Sequence, residues 1–404
     1  MADNITVIPQ NKCCGCRACA DSCAPLAITF VHDAEGFFHP FVKKSLCVSC
    51  GKCLLVCPVN KAEFLPKPDS CFASFAVATD DKMAGSSGGV FGVLAREALD
   101  KGYAVSGAAF DNHMKLHHKM VSDIDGLKSL LKSKYIQSNS EGIYKEIRSK
   151  LMKEEKVLFC GTPCQCAALK NIVGGKNENL LLVDFVCHGV PSQDLFDRTI
   201  AWYENNHNCK VEEFQFRYKG RGVKHPQSYR MVALNKNGKQ EEIVGLHYQF
   251  PYYFAFQTHI SLRESCYECI FAKPERCSDI TLGDFWGIEK YSQKLKANDG
   301  LSMIAANTPK GEQWIKLLND NKLIDSILIP YTFAVENNSC LSEPTPMPKS
   351  RAQFFSDLND LSFGDVVKKH MKSKKQYVFD LYYAIPTPIR KLVRKVMEKR
   401  MKYE

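Results

Sequence analysis

The chain has 404 residues, 45% apolar and 24% charged, a composition that supports a sizeable core and excludes the disordered and fibrous classes. Of the net charge of +10, the stretch 366–404 carries +9, from twelve Lys/Arg and three Asp/Glu; the rest of the chain is nearly neutral, which argues against a body that binds nucleic acid. No apolar run reaches the ~18–20 residues of a membrane span and no secretory signal opens the chain, so the 19 cysteines point to metal or redox chemistry in the cytoplasm rather than to a disulfide framework.

The first cysteines fall in two quartets. Cys13-x2-Cys16-x2-Cys19-x3-Cys23 is followed by Cys47-x2-Cys50-x2-Cys53-x3-Cys57-Pro58. This is the spacing of bacterial ferredoxins, in which three close thiolates wrap one corner of a cubane and the fourth crosses to the other cluster. It assigns Cys13, Cys16, Cys19 and Cys57 to one [4Fe–4S] cluster and Cys47, Cys50, Cys53 and Cys23 to a second. Four thiolates also suit zinc, but a zinc ribbon uses two cysteine pairs, not two quartets. Cys14 is an extra thiol, read as buried or idle.

Residues 61–70, with two prolines and several charges, read as an extended connector. A strand over Phe72–Thr79 leads to Gly85-Ser86-Ser87-Gly88-Gly89 and a helix ending near Gly102. A Gly/Ser loop opening a helix presents backbone N–H groups to an anion; the plainer reading is a tight strand-to-helix turn. Tyr103–Phe110 reads as a strand, Ile124–Leu131 and Gly142–Glu154 as helices. Lys156–Cys160 and Leu180–Val186 are buried strands, ending in Gly161-Thr162-Pro163-Cys164-Gln165-Cys166 and in Cys187-His188-Gly189-Val190-Pro191-Ser192. Apolar strands alternating with helices predict an α/β sheet covered on both faces, with both cysteine loops at the carboxyl edge where ligands bind.

A third cysteine group follows, Cys266-x2-Cys269 and Cys277. With Cys164 and Cys187 the pair completes a four-thiolate site, a third [4Fe–4S] cluster; Cys160, Cys166 and Cys277 are spare candidates or small core residues. The basic loop Arg217, Lys219, Arg221, Lys224 suits an anionic substrate or a pyrophosphate, or is an ordinary solvated loop. In the tail, Ile389, Leu392, Val393, Val396 and Met397 share a helical face among basic residues, a pattern that fits a helix on anionic lipid at the inner membrane face or one docked on protein.

The motifs GSSGGVFGVL at Gly85, KSKYIQS at Lys132, FCGTPCQCAAL at Phe159, CHGVPS at Cys187, CYEC at Cys266 and SDITLGDFWG at Ser278 together resemble the coenzyme F420 hydrogenase/dehydrogenase beta-subunit family, over roughly residues 70–330. The resemblance implies an FAD-dependent reductase with a nearby [4Fe–4S] cluster, here fused to its own ferredoxin module. It places Ser86, Ser87, Gly88 and Gly89 against the flavin, with Lys134 and Tyr135 near it, and Thr162, Pro163, Gln165 and His188 on loops lining flavin or cluster. His188 is the candidate proton donor, since imidazole titrates near neutral pH. Asp284 and Trp286 close the GDFWG turn, as a capping turn with a buried aromatic or as ligand contacts.

The expected architecture is therefore an α+β ferredoxin module (1–65), an α/β flavin-binding domain in two parts (66–155 and 156–335) and a basic amphipathic tail (366–404). The expected function is to move electrons between a ferredoxin-like one-electron carrier and a two-electron small-molecule or deazaflavin-type substrate through the clusters and FAD. The alternative is an electron-transfer subunit that feeds a partner enzyme and has no substrate of its own.

Overall fold

The computed structural model describes residues 3–220, 227–292 and 300–373. Arg221, Lys224 and the amphipathic pattern from Ile389 lie outside the described residues.

The N-terminal module is built on near-duplicate halves. Each cysteine quartet runs into a one-turn helix, Ala18–Asp21 or Lys52–Leu55, entered through a left-handed residue, Arg17 or Gly51. Between them strands β1 (Ile28–His32) and β2 (Phe38–Val42) pair antiparallel, Thr29 opposite Phe41. Asp33 closes their turn, its carboxylate accepting from the backbone N–H groups of Glu35 and Phe37 at 2.9 and 2.8 Å.

The connector is not free. Leu65 N–H donates to the Arg276 carbonyl at 2.7 Å, and Phe64 packs on Phe271 with ring centroids 5.9 Å apart. It leads into β3 (Ser70–Ala76), β4 (Tyr103–Phe110), β5 (Leu116–Val121), β6 (Lys156–Gly161) and β7 (Leu180–Phe185). Three strands then form a separate antiparallel sheet, β8 (Cys209–Phe216), β9 (Ser228–Asn235) and β10 (Gln240–Leu246), and β11 (Ile280–Asp284), β12 (Ser302–Ala306) and β13 (Ile324–Pro330) return to the main one.

The main sheet has eight strands in the order β13-β3-β12-β11-β7-β6-β4-β5. β4, β6, β7 and β11 are mutually parallel. β12 is antiparallel to β11 and to β3, so β3 points the same way as the parallel four. The alternating strand residues feed two cores, as a sheet covered on both faces requires. Leu158, Leu181 and Val183 pack with helices Val90–Asp100 and Pro309–Asp320 on one face. Val157, Phe159, Leu180 and Leu182 pack with helices Ile143–Met152 and Pro163–Val173 on the other. Each such fully buried Leu or Phe contributes about 1.5–3 kcal/mol. Helices Gln193–His207, Pro251–Gln257, Arg351–Asp360 and Phe363–His370 share a third core with the small sheet. No helix among the described residues is long and apolar enough to cross a membrane.

This topology gathers one set of loops at one edge. The carboxyl ends of β3, β6, β7 and β11 deliver, in turn, the Gly85–Gly89 loop, Thr162 to Cys166, Cys187 to Ser192, and Asp284 with Trp286.

Candidate functional site

The first cysteine quartet surrounds a cavity. Cys13, Cys16, Cys19 and Cys57 line a space of about 260 Å³, walled by Ile5, Ile8, Phe30 and Val59. Burial, then repulsion from Cys13 and Cys57, holds the Cys19 thiol well above its ordinary pKa. Cys13 is the exception: against its burial, a hydrogen bond with His39 and the Arg263 charge keep it low. Thiols crowded in this way become stable thiolates only with a cation among them, and metal ligation supplies one. Among the described residues no three His, Cys, Asp or Glu side chains converge on a single ion; a cubane instead takes one thiolate per iron around a cavity. Cys53, Cys23 and Cys47 pack together in the small core of the module, and Cys50, the remaining member of the second quartet, is exposed.

The first quartet is the one that faces the body. Arg263, 2% exposed, donates from Nε to the Cys13 carbonyl at 2.6 Å, from Nη2 to the Phe38 carbonyl at 3.0 Å and from Nη1 to Gln137 Oε1 at 3.1 Å. Gln137 in turn donates to the Cys14 carbonyl at 2.9 Å, and Ser140 to that of Cys16 at 2.7 Å. Arg17 pairs with Glu141 at 2.8 Å. Arg351, from the penultimate described helix, pairs with Glu35 in the β1–β2 turn.

Across this junction lie the other four cysteines singled out from the sequence. Cys164 sits in the first turn of helix Pro163–Val173, where the helix dipole favours a thiolate. Thr162 and Gln165 cap that turn: Gln165 Oε1 accepts from the Thr162 N–H and hydroxyl, both at 3.0 Å, and its amide donates to Ser138 Oγ at 3.1 Å. Cys187 follows β7. Its loop is pinned to the Cys266 segment by the Pro191–Leu262 bridge and by Arg263 N–H on the Val190 carbonyl at 2.9 Å. Gly189, at φ +118°, makes the approach close; a Cβ there would stand 2.9 Å from Cys266 Cβ. Burial and then the Cys266 charge raise the Cys187 thiol far above its ordinary pKa. Burial and Cys269 push Cys266 up to about 12, and burial and Cys164 push Cys269 up to about 11. The four thiols thus feel one another as a group.

Cys14 joins the two sites. Its thiol is within hydrogen-bonding reach of both Cys16 and Cys164, so a residue read from the sequence as idle stands between the first quartet and the third. The doublet Cys13-Cys14 was visible, but nothing in it revealed which side Cys14 would take. Cys166, fully buried, packs on the sheet with its Sγ 3.5 Å from the Val183 carbonyl. Cys277 is buried beside Ala167 and Phe271. Cys160 is the penultimate residue of β6, and its carbonyl takes His118 Nε2 at 3.3 Å.

On the far side of Cys187 an aromatic and polar chain begins. The His188 ring lies 5.6 Å from His259 and 6.1 Å from Phe256. Phe256 stacks on Tyr135 at 4.4 Å, and the Tyr135 hydroxyl accepts from Arg217 Nη1 at 3.4 Å. Arg217, 5% exposed, pairs with both oxygens of Asp284, at 2.6 and 2.9 Å, and donates to the Ser86 carbonyl at 3.1 Å. The GDFWG turn therefore serves as an anchor for Arg217; its buried aromatic is Phe285, 1% exposed, rather than Trp286. Burial, and then His259, pushes His188 down to about 4, so its ring is neutral at physiological pH in the cofactor-free chain.

The Gly85–Gly89 loop is tied from several sides. Ser133 N–H donates to Ser86 Oγ at 2.6 Å, Ser87 Oγ to the Leu301 carbonyl at 2.8 Å, and Gly88 N–H to Ser302 Oγ at 2.9 Å. Gly88 and Gly89 are required by packing: a Cβ would meet the Ser74 carbonyl oxygen at 2.4 Å or that of Asp81 at 2.5 Å. Around the loop stand cations. Lys219 donates to the Ser87 and Lys82 carbonyls, Lys132 to that of Met83 at 3.2 Å, and Lys134 to that of Leu131 at 2.7 Å. Burial, then like charge, pushes Lys219 down to about 8; burial pushes Lys134 down to about 7. The neighbouring acid, Asp284, is already committed to Arg217.

A lysine held below its ordinary value binds fewer protons folded than unfolded, so stability rises with pH between the two values. The Lys134 burden is complete below about pH 7 and is relieved as pH climbs toward 10.5. Urea unfolding of wild type and Lys134→Met, compared at pH 6.5, 8 and 9, should show the variant ahead by a margin that shrinks with rising pH. A constant margin would mean that Lys134 keeps its proton throughout.

Comparison with known proteins agrees with both halves. Residues 154–328 match the family described as the C terminus of the coenzyme F420 hydrogenase/dehydrogenase beta subunit, and residues 12–61 match the 4Fe-4S dicluster domain. Ferredoxin-type protein NapF of Escherichia coli K12 is 44% identical over 52 residues, 12% of this chain and 32% of NapF; NapF of Escherichia coli O157:H7 matches to the same extent. The chain thus spans about a third of the length of these curated relatives. Among solved structures, the F420-reducing [NiFe] hydrogenase complex from Methanosarcina barkeri aligns with a TM-score of 0.43 and 15% identity, covering 68% of this chain and 91% of that one. The chain thus joins a segment that matches the 4Fe-4S dicluster domain, residues 12–61, to one that matches the C-terminal family of coenzyme F420 hydrogenase/dehydrogenase beta subunits, residues 154–328.

Proposed function

We propose that the chain is an iron–sulfur flavoprotein oxidoreductase that moves electrons between a one-electron carrier and a two-electron organic substrate, of which a deazaflavin is one class. The observation that carries this reading is the continuity of the site. The Cys14 thiol interacts with Cys16 on one side and with Cys164 on the other, and His188, Phe256, Tyr135 and Arg217 lead on to the Ser86 loop. Two [4Fe–4S] clusters would sit in the N-terminal quartets, and Cys164, Cys187, Cys266 and Cys269 would hold a third. The cations around Ser86–Gly89 fit FAD: Lys132 repels both Lys134 and Lys219, and a pyrophosphate would relieve that repulsion. Bound there, FAD supplies the exchange between a hydride and single electrons.

The chain's own residues have separable roles in this reading. Thr162, Pro163 and Gln165 set the first turn that aims Cys164. Arg217 and Asp284 fix the Ser86 carbonyl. Tyr135 and Phe256 wall the space beside His188, whose ring, pushed below its ordinary range by burial, does not carry the proton expected of it from the sequence and is proposed only to take one up and pass it on. NapF is named a ferredoxin-type protein, and the likeness of 52 residues of this chain to it supports an electron-transfer partner, for which a ferredoxin-like carrier is proposed.

Iron, sulfide and flavin measured on one anaerobic sample test the reading. It requires about twelve irons, four per cubane in three sites, and one FAD per chain. About eight irons with flavin would remove the third cluster. About eight irons without flavin, even after incubation with FAD, would overturn the reductase mechanism and leave an electron carrier.

A further inference from the structure

The two quartets of the N-terminal module have opposite surroundings. The first is closed over by Arg263, Gln137 and Ser140 of the body. The second opens to solvent at Cys50. Around Cys50 the surface is apolar: Leu46 is 42% exposed, Val48 69% and Leu55 65%. Single exposed apolar residues need no explanation, but a patch beside a redox ligand does. The same stretch is positively charged. Lys43, Lys44 and Lys52 are exposed, and no Asp or Glu occurs between Glu35 and Glu63. A nearly neutral body thus carries basic and apolar residues around the one cysteine of the two quartets that is exposed rather than partly or wholly buried.

We propose that the face formed by Leu46, Val48, Cys50, Leu55 and the lysines Lys43, Lys44 and Lys52 is the docking surface for an acidic one-electron carrier protein, so that electrons enter or leave through the second cluster and the first is the inner relay. The proposal rests on the carrier-linked reading above and adds its partner's charge, its place and the order of the clusters. Charge complementarity selects the occupant. Opposite fields steer encounter and raise association rates by about 10–1,000-fold, an effect that salt screens. The apolar residues exclude water where the partner's centre must come close, while the lysines at the rim act mainly on the association rate. A basic carrier or a membrane would not need this combination: the first is repelled, and the second offers no electrons to Cys50.

The test uses the full chain with its clusters loaded and a purified acidic two-cluster ferredoxin as probe. Stopped-flow reduction of the clusters by pre-reduced ferredoxin should be second-order and should slow at least tenfold between about 20 and 500 mM salt. The variant K43E/K44E/K52E should lose at least tenfold in the same rate at low salt and lose the salt dependence. Val48→Ser should slow transfer several-fold with the salt dependence kept. Iron content and photochemical reduction by a small deazaflavin dye, equal to wild type, establish that each variant is folded and loaded. An unchanged ferredoxin rate in the triple variant, or a wild-type rate that rises with salt, would overturn the proposal. Loss of flavin without loss of this salt-dependent reduction would sink the reductase reading and leave the docking surface standing. Flavin present, with cluster reduction indifferent to the lysines, would do the reverse.

Discussion

Replacing Cys266 by serine should lower iron from about twelve to about eight per chain and leave the two N-terminal clusters in place. Cys266 is half-buried against Gly189 and beside Cys187 in the third group, while both N-terminal quartets lie in a separate module. Disturbing even an outer-shell partner of a metal ligand costs about 10–100-fold, so loss of the ligand should cost more than that in carrier-driven turnover. Iron analysis and EPR of the reduced protein report the cluster independently of turnover. Cys277→Ala is the matched control, because Cys277 is buried in one cluster with Cys164 and Cys269 without being one of the four proposed ligands. Twelve irons retained in Cys266→Ser, or four lost in Cys277→Ala, would show that the third group is composed differently.

The second large effect is expected at Asp284. Asp284→Ala leaves the Arg217 guanidinium, 5% exposed, buried without its acid, and breaking a buried pair from one side costs about 3–5 kcal/mol. Thermal unfolding should shift down by about 10 °C, given a few degrees per kcal/mol in a domain of this size. Because Arg217 also holds the Ser86 carbonyl, flavin retention should fall with it. The double variant Arg217→Met/Asp284→Leu separates the two effects. Removing both charges should restore most of the stability, but the loop loses its clamp and flavin should stay weakly bound. Flavin binding equal to wild type in the double variant would show that the pair holds the fold and not the site.

The sequence told most where chemistry fixes spacing. Two cysteine quartets could be assigned to two clusters because a cubane and its crossing ligand impose the intervals, and the dicluster match covers them. Strand ends were legible as well. KVLFC and LLLVDFV read as buried strands of an α/β sheet, so Cys164 and Cys187 could be set at one edge before any coordinates. What was not legible depends on contacts that leave no local trace. Asp284 and Arg217 lie 67 residues apart, and nothing around either announces the other. The sheet of β8 to β10 interrupts the α/β alternation, and its pairing is settled by a core shared with four helices rather than by its own pattern. The main sheet is mixed, since β5, β12 and β13 run antiparallel to their neighbours and the last two return from distant segments. Arg263, three residues before Cys266, carries no local mark of its role, yet it holds the cluster module in place.

That junction has a consequence for how the chain works as a conductor. The module is seated by Arg263, Arg17 and Arg351 and by the carbonyls of Cys13, Cys14 and Cys16, contacts spread over sequence separations of 123 to 316 residues. A partner held by a flexible tether meets its site at an effective concentration set by tether length. Here no search remains to be made, because the fold itself holds the first quartet against Cys164. Current between the module and the body is then a property of a solid joint, indifferent to viscosity and to connector length. In the proposed electron path, the diffusive events left are the arrival of the carrier at the outer end and of the organic substrate at the other.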